Sequence, residues 1–410
     1  MQQWQWKNFL FWTGAILMII LATLLYQPAA AKTGSLLVWT RDRIYVMDID
    51  SLNLQRVGPA NANEPITPSP GCFEQMEVAC WVVVGDRVYK VDLSAGDAPQ
   101  LELPIEPGFR LGEGISWSPD GIHLAYSLIQ DQTNRAELLI YDVSRNEVKF
   151  RRPDVDPQVA AAWTAACSGG LAAAGCELGY KEVTRESINL IGFEPASGAV
   201  REWDVSPEQI FELRWAPDQT LLYSQPKRHF INPEDHSPIY SLPPGGRLAN
   251  TSPDARYTVY YQPFTLSDCE FEDEAACLHL GVWLARSDEP EMRPELIYSI
   301  HLSEADRTGG LNFIPTWAPN GKAFVFFQEG RLLYYDLERK EATIWYKPLM
   351  GKLRSLPVFS PNEEAVAFVD NQGQGHSEYR LVIVNPRLQP IEHVIDDSQA
   401  GFRVLAWLPN

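Results

Sequence analysis

Chemistry requires side chains that hold protons, electrons or metal ions, so the histidines, carboxylate clusters and cysteines come first. The seven histidines are scattered, and no two stand four apart, as ligands on one helix face would. His123 follows a Ser-Pro-Asp-Gly turn, a position that predicts an exposed ring. His229 and His236 bracket a stretch holding Glu234 and Asp235; the plain reading is a surface loop, and the sharper one is a metal site. Asp268, Glu270, Glu272, Asp273 and Glu274 crowd around Cys269 and before Cys277. That loop reads as a solvated loop, as a contact for a protein partner, or as a calcium site, although its spacing is not that of an EF-hand. The Gly/Ala-rich run Ala165–Gly175 lacks the G-x-x-x-x-G-K-[ST] pattern that cradles phosphate. These residues assign no catalytic group, no metal ligand and no cofactor.

The six cysteines form three close pairs, Cys72 with Cys80, Cys167 with Cys176 and Cys269 with Cys277, spaced eight, nine and eight residues apart. With no C-x-x-C and no Cys-His cluster, zinc fits poorly. Three small disulfide loops fit better, and they imply an oxidising compartment. By loop entropy each contributes roughly 2–3 kcal/mol.

The start of the chain agrees with that compartment. Asn8–Tyr26 is an apolar run preceded by Lys7, and a helix of about 20 residues spans a bilayer. Trp4, Trp6, Trp12 and Tyr26 sit near its ends, as interfacial aromatics do. Residues 1–33 are therefore expected to form a single-pass anchor with a short linker, leaving the body outside the cytoplasm. The small residues Ala29–Ala31 keep the alternative, a signal cut near Ala31 that leaves a secreted or periplasmic protein. The 34 Lys plus Arg against 53 Asp plus Glu give a net charge of -19, which argues against a nucleic-acid footprint.

The elements that must position any site come from a repeat. Gly114–Ser127 reads as a strand ending in Trp117, a Ser-Pro-Asp-Gly turn and a second strand. The figure returns at Leu213–Ser224, Pro315–Phe326 and Pro357–Phe368, with weaker copies at Ser252-Pro253-Asp254 and Ser69-Pro70-Gly71 and a half-copy ending at Asn410. In Val159–Trp203 a cysteine loop replaces the turn, while Trp163 keeps its place. Pro presets φ in such a turn, Asp or Asn supports it with a side chain, and Gly takes positive φ. Trp117, Trp163, Trp215, Trp317, Phe359 and Trp407 share one position, where a large flat ring fills the wedge between neighbouring blades.

Four short strands per period of about 45 residues are the signature of a β-propeller. The sequence predicts one all-β domain over residues 34–410, built of four-stranded antiparallel blades. Eight blades of about 47 residues fit better than seven of about 54. The N-terminal piece lacks a first strand and the C-terminal piece supplies only one, so the two are expected to share a blade and remove the free edges.

The WSPDG turn followed by LAYS, with IYVMD-type strands at Ile44–Asp48, Leu139–Asp142 and Leu333–Asp336, resembles the WD40-like (PD40-type) repeat of the TolB family. It also resembles the propeller of dipeptidyl peptidase IV relatives. The resemblance covers most of Gly34–Asn410 and is weakest around Arg228–Gly246. It implies a propeller fold. In TolB it goes with a preceding α/β domain and a lipoprotein partner, whereas here an anchor-like run stands before the repeats. The peptidases carry a hydrolase domain with a G-x-S-x-G elbow, and no such elbow occurs in this sequence. The reading is a non-enzymatic protein-interaction scaffold or complex subunit. Its alternative is a propeller that binds or processes a small molecule or glycan in its central channel.

Overall fold

The computed structural model describes residues 34–40, 43–59, 66–72, 79–91, 100–206, 209–215, 220–225, 228–234, 236, 247–254, 256–265, 278–286, 289, 292–301, 314–328, 331–347, 352–353, 355–371, 379–385, 390–395 and 402–408. These residues are all-β apart from two short 3-10 turns, Pro70–Cys72 and Ala165–Gly169. Their strands fall into antiparallel sheets, most of them four-stranded. The third sheet is the clearest, with Phe109–Trp117, His123–Gln130, Ala136–Asp142 and Glu147–Pro153 in chain order from inner to outer strand. The second sheet (residues 66–102) and the fourth (162–204) flank it in sequence, and each repeats its up-and-down order. The fifth has three described strands, Glu212–Trp215, Leu221–Gln225 and Arg228–Ile231, where the repeat is weakest. The sixth (247–301) and seventh (316–346) have four each, and the eighth (352–395) has five, because two short segments share its inner position. In the first, Ser35–Trp39 pairs with Arg43–Asp48 on one side and with Arg403–Leu408 on the other, Leu36 lying opposite Trp407.

Alternation along each strand sends one set of side chains into each of two interfaces, so the core is divided between neighbouring sheets. Trp117, 8% exposed, packs in a cluster with Val83 and Val88 of the second sheet. Partly buried Trp163 packs against Ala125, Leu138 and Ile140 of the third sheet. Trp215 joins Leu190 of the fourth, Trp317 joins Val259 and Tyr261 of the sixth, and Phe359 joins Phe327 of the seventh. Trp407 joins Ala367 and Leu381 of the eighth. Each ring faces the preceding sheet. Fully buried rings of this size remove about 150–250 Å² each from water.

Three indoles also donate across the same gap. Trp117 Nε1 reaches Thr67 O (3.0 Å), Trp215 Nε1 reaches Ala162 O (2.9 Å), and Trp317 Nε1 reaches Asn250 O (3.1 Å). In each case the acceptor lies on the inner strand of the preceding sheet. Trp163 Nε1 is buried without a partner. Between the fifth and sixth sheets Arg214 Nη1 donates to Thr251 O (3.3 Å) and Ser252 O (3.1 Å).

Among the described residues no helix is long and apolar enough to cross a membrane. The expected N-terminal helix lies outside the described residues.

Candidate functional site

The turn that joins the inner strand to the second strand is wired identically wherever it is complete. Ser118 Oγ donates to Asp120 Oδ1 and accepts from the His123 backbone N–H (3.0 Å). Ser252 and Asp254 repeat this with Tyr257 N–H, and Ser360 and Asn362 with Ala365 N–H. A hydroxyl that receives the N–H five residues on closes the turn, and the Asp or Asn then accepts the inner N–H groups. In the second and fourth sheets the same hydroxyl does the same work across a longer loop. Ser69 Oγ accepts from Trp81 N–H (2.9 Å) and Thr164 Oγ1 from Glu177 N–H (2.9 Å). The disulfides Cys72–Cys80 and Cys167–Cys176 close those two loops, with Cys72 Sγ 3.8 Å from Ser69 Oγ and Cys167 Sγ 3.5 Å from Thr164 Oγ1. The two disulfides and the Ser118 turn therefore lie on one face, at the same end of three successive sheets.

His123 does not point into solvent, as its place after a turn predicts. It is 8% exposed. Its Nδ1 lies 2.9 Å from Asp120 Oδ2, and its Nε2 lies 3.9 Å from Asp142 Oδ2. The corrected placement has a physical cause: the first residue of the second strand faces the neighbouring sheet, and two turn carboxylates stand there to accept the ring. Burial raises the pKa of Asp120, but hydrogen bonds from His123, Ser118 and Ile122 N–H outweigh it and hold the carboxyl below its ordinary value. Asp142 supports the outer turn, where Arg145 N–H donates to Oδ1 (3.0 Å). Asp48 and Asp336 do the same for their own turns.

His123 and Asp142 line a cleft of about 450 Å³ between the third and fourth sheets. Its walls include Phe150, Pro195 and the Gly169–Ala172 segment of the cystine loop, with Arg145 and Lys149 at its rim. A second cleft of about 590 Å³ opens between the same sheets at the opposite strand ends, lined by Arg110, Glu113, Arg135 and Asp156. A bulge at Gly112–Gly114 forms one wall, with Glu113 and Gly114 N–H both donating to Pro157 O (2.9 Å). A Cβ on Gly112 would stand 2.0 Å from Ser127 Oγ and 2.9 Å from Pro157 O, so only glycine fits. Behind it Lys181 Nζ pairs with Asp156 Oδ2 at 2.6 Å, both side chains largely buried. Neither pair partner is prominent in the sequence, because 25 residues separate them.

The other expected residues are placed as follows. His236 Nδ1 lies 3.4 Å from Tyr223 OH, while Asp235 lies outside the described residues. Among the described residues no group of three or more His, Cys, Asp and Glu is arranged to hold a metal ion. Cys269, Cys277, Asp268, Glu270, Glu272, Asp273 and Glu274 lie outside the described residues. Sequence reading did not single out Asp142, Arg145, Lys149, Asp156 or Lys181. For Asp142 a signal exists, since it ends an IYVMD-type strand as Asp48 and Asp336 do.

No family model matches the chain, and no curated protein matches it in sequence. Solved structures do match it in fold. Dihydro-heme d1 dehydrogenase NirN, solved in complex with DHE, has 12% identity and a TM-score of 0.52 over 90% of this chain and 75% of that one. The Dos1 propeller has 11% identity and a TM-score of 0.50 over 87% and 93%. TolB from Acinetobacter baumannii has 12% identity and a TM-score of 0.34 over 90% and 79%. At such identities a likeness speaks for fold alone. Together with the repeat, the likeness to the NirN and Dos1 structures shows a β-propeller fold.

Proposed function

We propose that this chain is an extracytoplasmic, eight-bladed β-propeller that serves as a non-enzymatic protein-interaction scaffold or complex subunit. Residues 34–410 form the propeller in this reading, and the sheet shared by Ser35–Trp39 and Arg403–Leu408 closes the ring. The succession of shared cores supports it, each wedge ring facing the preceding sheet, with the 407 ring facing the eighth. Two disulfides support an oxidising compartment.

One observation carries the non-enzymatic part. Ser118, Asp120 and His123 have the residue types of a hydrolytic triad but not its wiring. The serine hydroxyl bonds the aspartate and the imidazole bonds that same aspartate, so the imidazole does not face the hydroxyl as its general base. The same Ser-Asp/Asn wiring closes turns that contain no histidine. It is a turn device that one histidine has joined.

The partner face, in this proposal, is the one bearing the turns between second and third strands, with the wider cleft and the Asp268–Glu274 loop. Residues 1–33 direct export; a mature chain starting at Met1 is a single-pass protein and one starting at Lys32 a released one. A photo-cross-linker at Arg135, on that face, and another at Ala172, on the opposite one, test the assignment in native membranes. Partner protein captured from Arg135 and not from Ala172 supports it. Capture from Ala172 alone, or from neither, refutes it.

A further inference from the structure

We propose that the cleft between the third and fourth sheets, beside His123, is a binding site for a small monocarboxylic acid with an apolar body. This goes beyond the scaffold reading and does not depend on it. The cleft's volume of about 450 Å³ falls in the range of small-molecule sites. Its walls are apolar, formed by Phe150, Leu171 and Pro195, and Pro195 is buried. In a protein of net charge -19, two cations, Arg145 and Lys149, line this space together with the His123 ring, and Asp142 is the one carboxylate among the described residues that line it.

That carboxylate is already occupied. Asp142 Oδ1 accepts from Ser144 Oγ (2.7 Å) and Arg145 N–H (3.0 Å), and Oδ2 faces His123. Its hydrogen-bonding positions are thus filled, while its charge still offsets one cation of the rim. Lys149 pairs with Glu147 at 2.6 Å, but that glutamate is 57% exposed, and a pair so open to water yields readily to a better-placed anion. Arg145 is 72% exposed and its Nε lies 3.9 Å from Asp142 Oδ2, a pair open to water on the arginine side that a ligand carboxylate at the mouth can share. A ligand carboxylate gains charge-assisted hydrogen bonds from the two cations, while its apolar part covers Phe150 and Leu171.

The wall opposite His123 is held rather than merely present. Gly169 and Leu171 belong to the loop that Cys167–Cys176 closes, and Thr164 ties that loop at both ends, to Gly175 O (2.9 Å) and Glu177 N–H (2.9 Å). A preformed wall lowers the ordering cost of binding.

Titration of phenylacetate into the purified full-length protein, labelled with 15N at histidine, tests the site. The His123 ring signals, assigned with His123→Asn, are expected to shift and saturate with a Kd of about 1 mM, a value suited to so small a ligand. Lys149→Ala and Arg145→Ala should each weaken binding about tenfold, one charge-assisted bond's worth. Phenylacetamide, uncharged and of the same shape, should bind at least about tenfold more weakly. Equal binding of the amide, or binding unmoved in both variants, would overturn the proposal. So would His123 signals that stay still at a phenylacetate concentration of about 50 mM, well above the expected Kd.

Discussion

Replacing Trp317 with phenylalanine isolates the contribution of an indole that bonds across two sheets. The ring is 7% exposed, lies 4.8 Å from Phe324 between centroids, and donates to Asn250 O at 3.1 Å. Phenylalanine keeps the six-membered ring and loses the pyrrole edge, a loss of roughly 1 kcal/mol of burial. It also removes a hydrogen bond worth about 1 kcal/mol and leaves a carbonyl to be rehydrated in a narrow gap. The sum is about 2–3 kcal/mol. Trp163→Phe is the internal control. That indole sits at the same position of the repeat, but its buried Nε1 has no acceptor. Its replacement forfeits less burial, the ring being only partly buried, and relieves an unpaired donor, so its cost should be about 1 kcal/mol or less. Urea unfolding followed by far-UV circular dichroism, with m-values held common, reads the difference. Trp117→Phe and Trp215→Phe should follow Trp317→Phe, and paired variants at separate interfaces should add within about 0.5 kcal/mol. A Trp163→Phe variant as costly as Trp317→Phe would refute the view that the cross-sheet bond, rather than ring size alone, distinguishes these positions.

Three further outcomes are expected. Cys167→Ser combined with Cys176→Ser should lower stability by about 2.5 kcal/mol from loop entropy and weaken phenylacetate binding, because the cleft wall loosens; urea unfolding of the double variant checks the first and calorimetric titration the second. Lys181→Met should cost about 3 kcal/mol by urea unfolding, since it strips the cation from largely buried Asp156, and Lys181→Met with Asp156→Leu should recover much of that loss. Asp120 has a lowered pKa in the folded state, so the unfolded chain binds its proton more tightly. Its stabilising effect is full above the ordinary value of 3.8 and is lost as pH falls through the lower folded value. The unfolding midpoint of Asp120→Asn should accordingly fall less steeply between about pH 4 and pH 2 than that of the unaltered protein.

The repeat made the architecture legible because its cues are local. Proline, aspartate and glycine fix a turn wherever they stand together, and a large ring two residues earlier marks the inner strand. The cystines at 72–80 and 167–176 were legible for the same reason, their spacing being short. Their equivalence to the Ser-Pro-Asp turn was hidden. It rests on Ser69 and Thr164 accepting an N–H twelve and thirteen residues on, where Ser118 accepts one five residues on. The burial of His123 is not legible in its place after a turn, because strand alternation and the next sheet decide it. The pair Lys181–Asp156 ties a strand of the fourth sheet to the linker that enters it, and the cleft beside His123 joins two sheets, where no spacing within one repeat encodes a neighbour in the next.

The mass of the native particle tests the scaffold reading most directly. The protein is drawn in mild detergent from its own membranes and extracytoplasmic fraction and weighed by native mass spectrometry. A particle heavier than the 46.3 kDa chain by a stoichiometric second protein is the expected result. A particle made of this chain alone, single or self-associated, would contradict it.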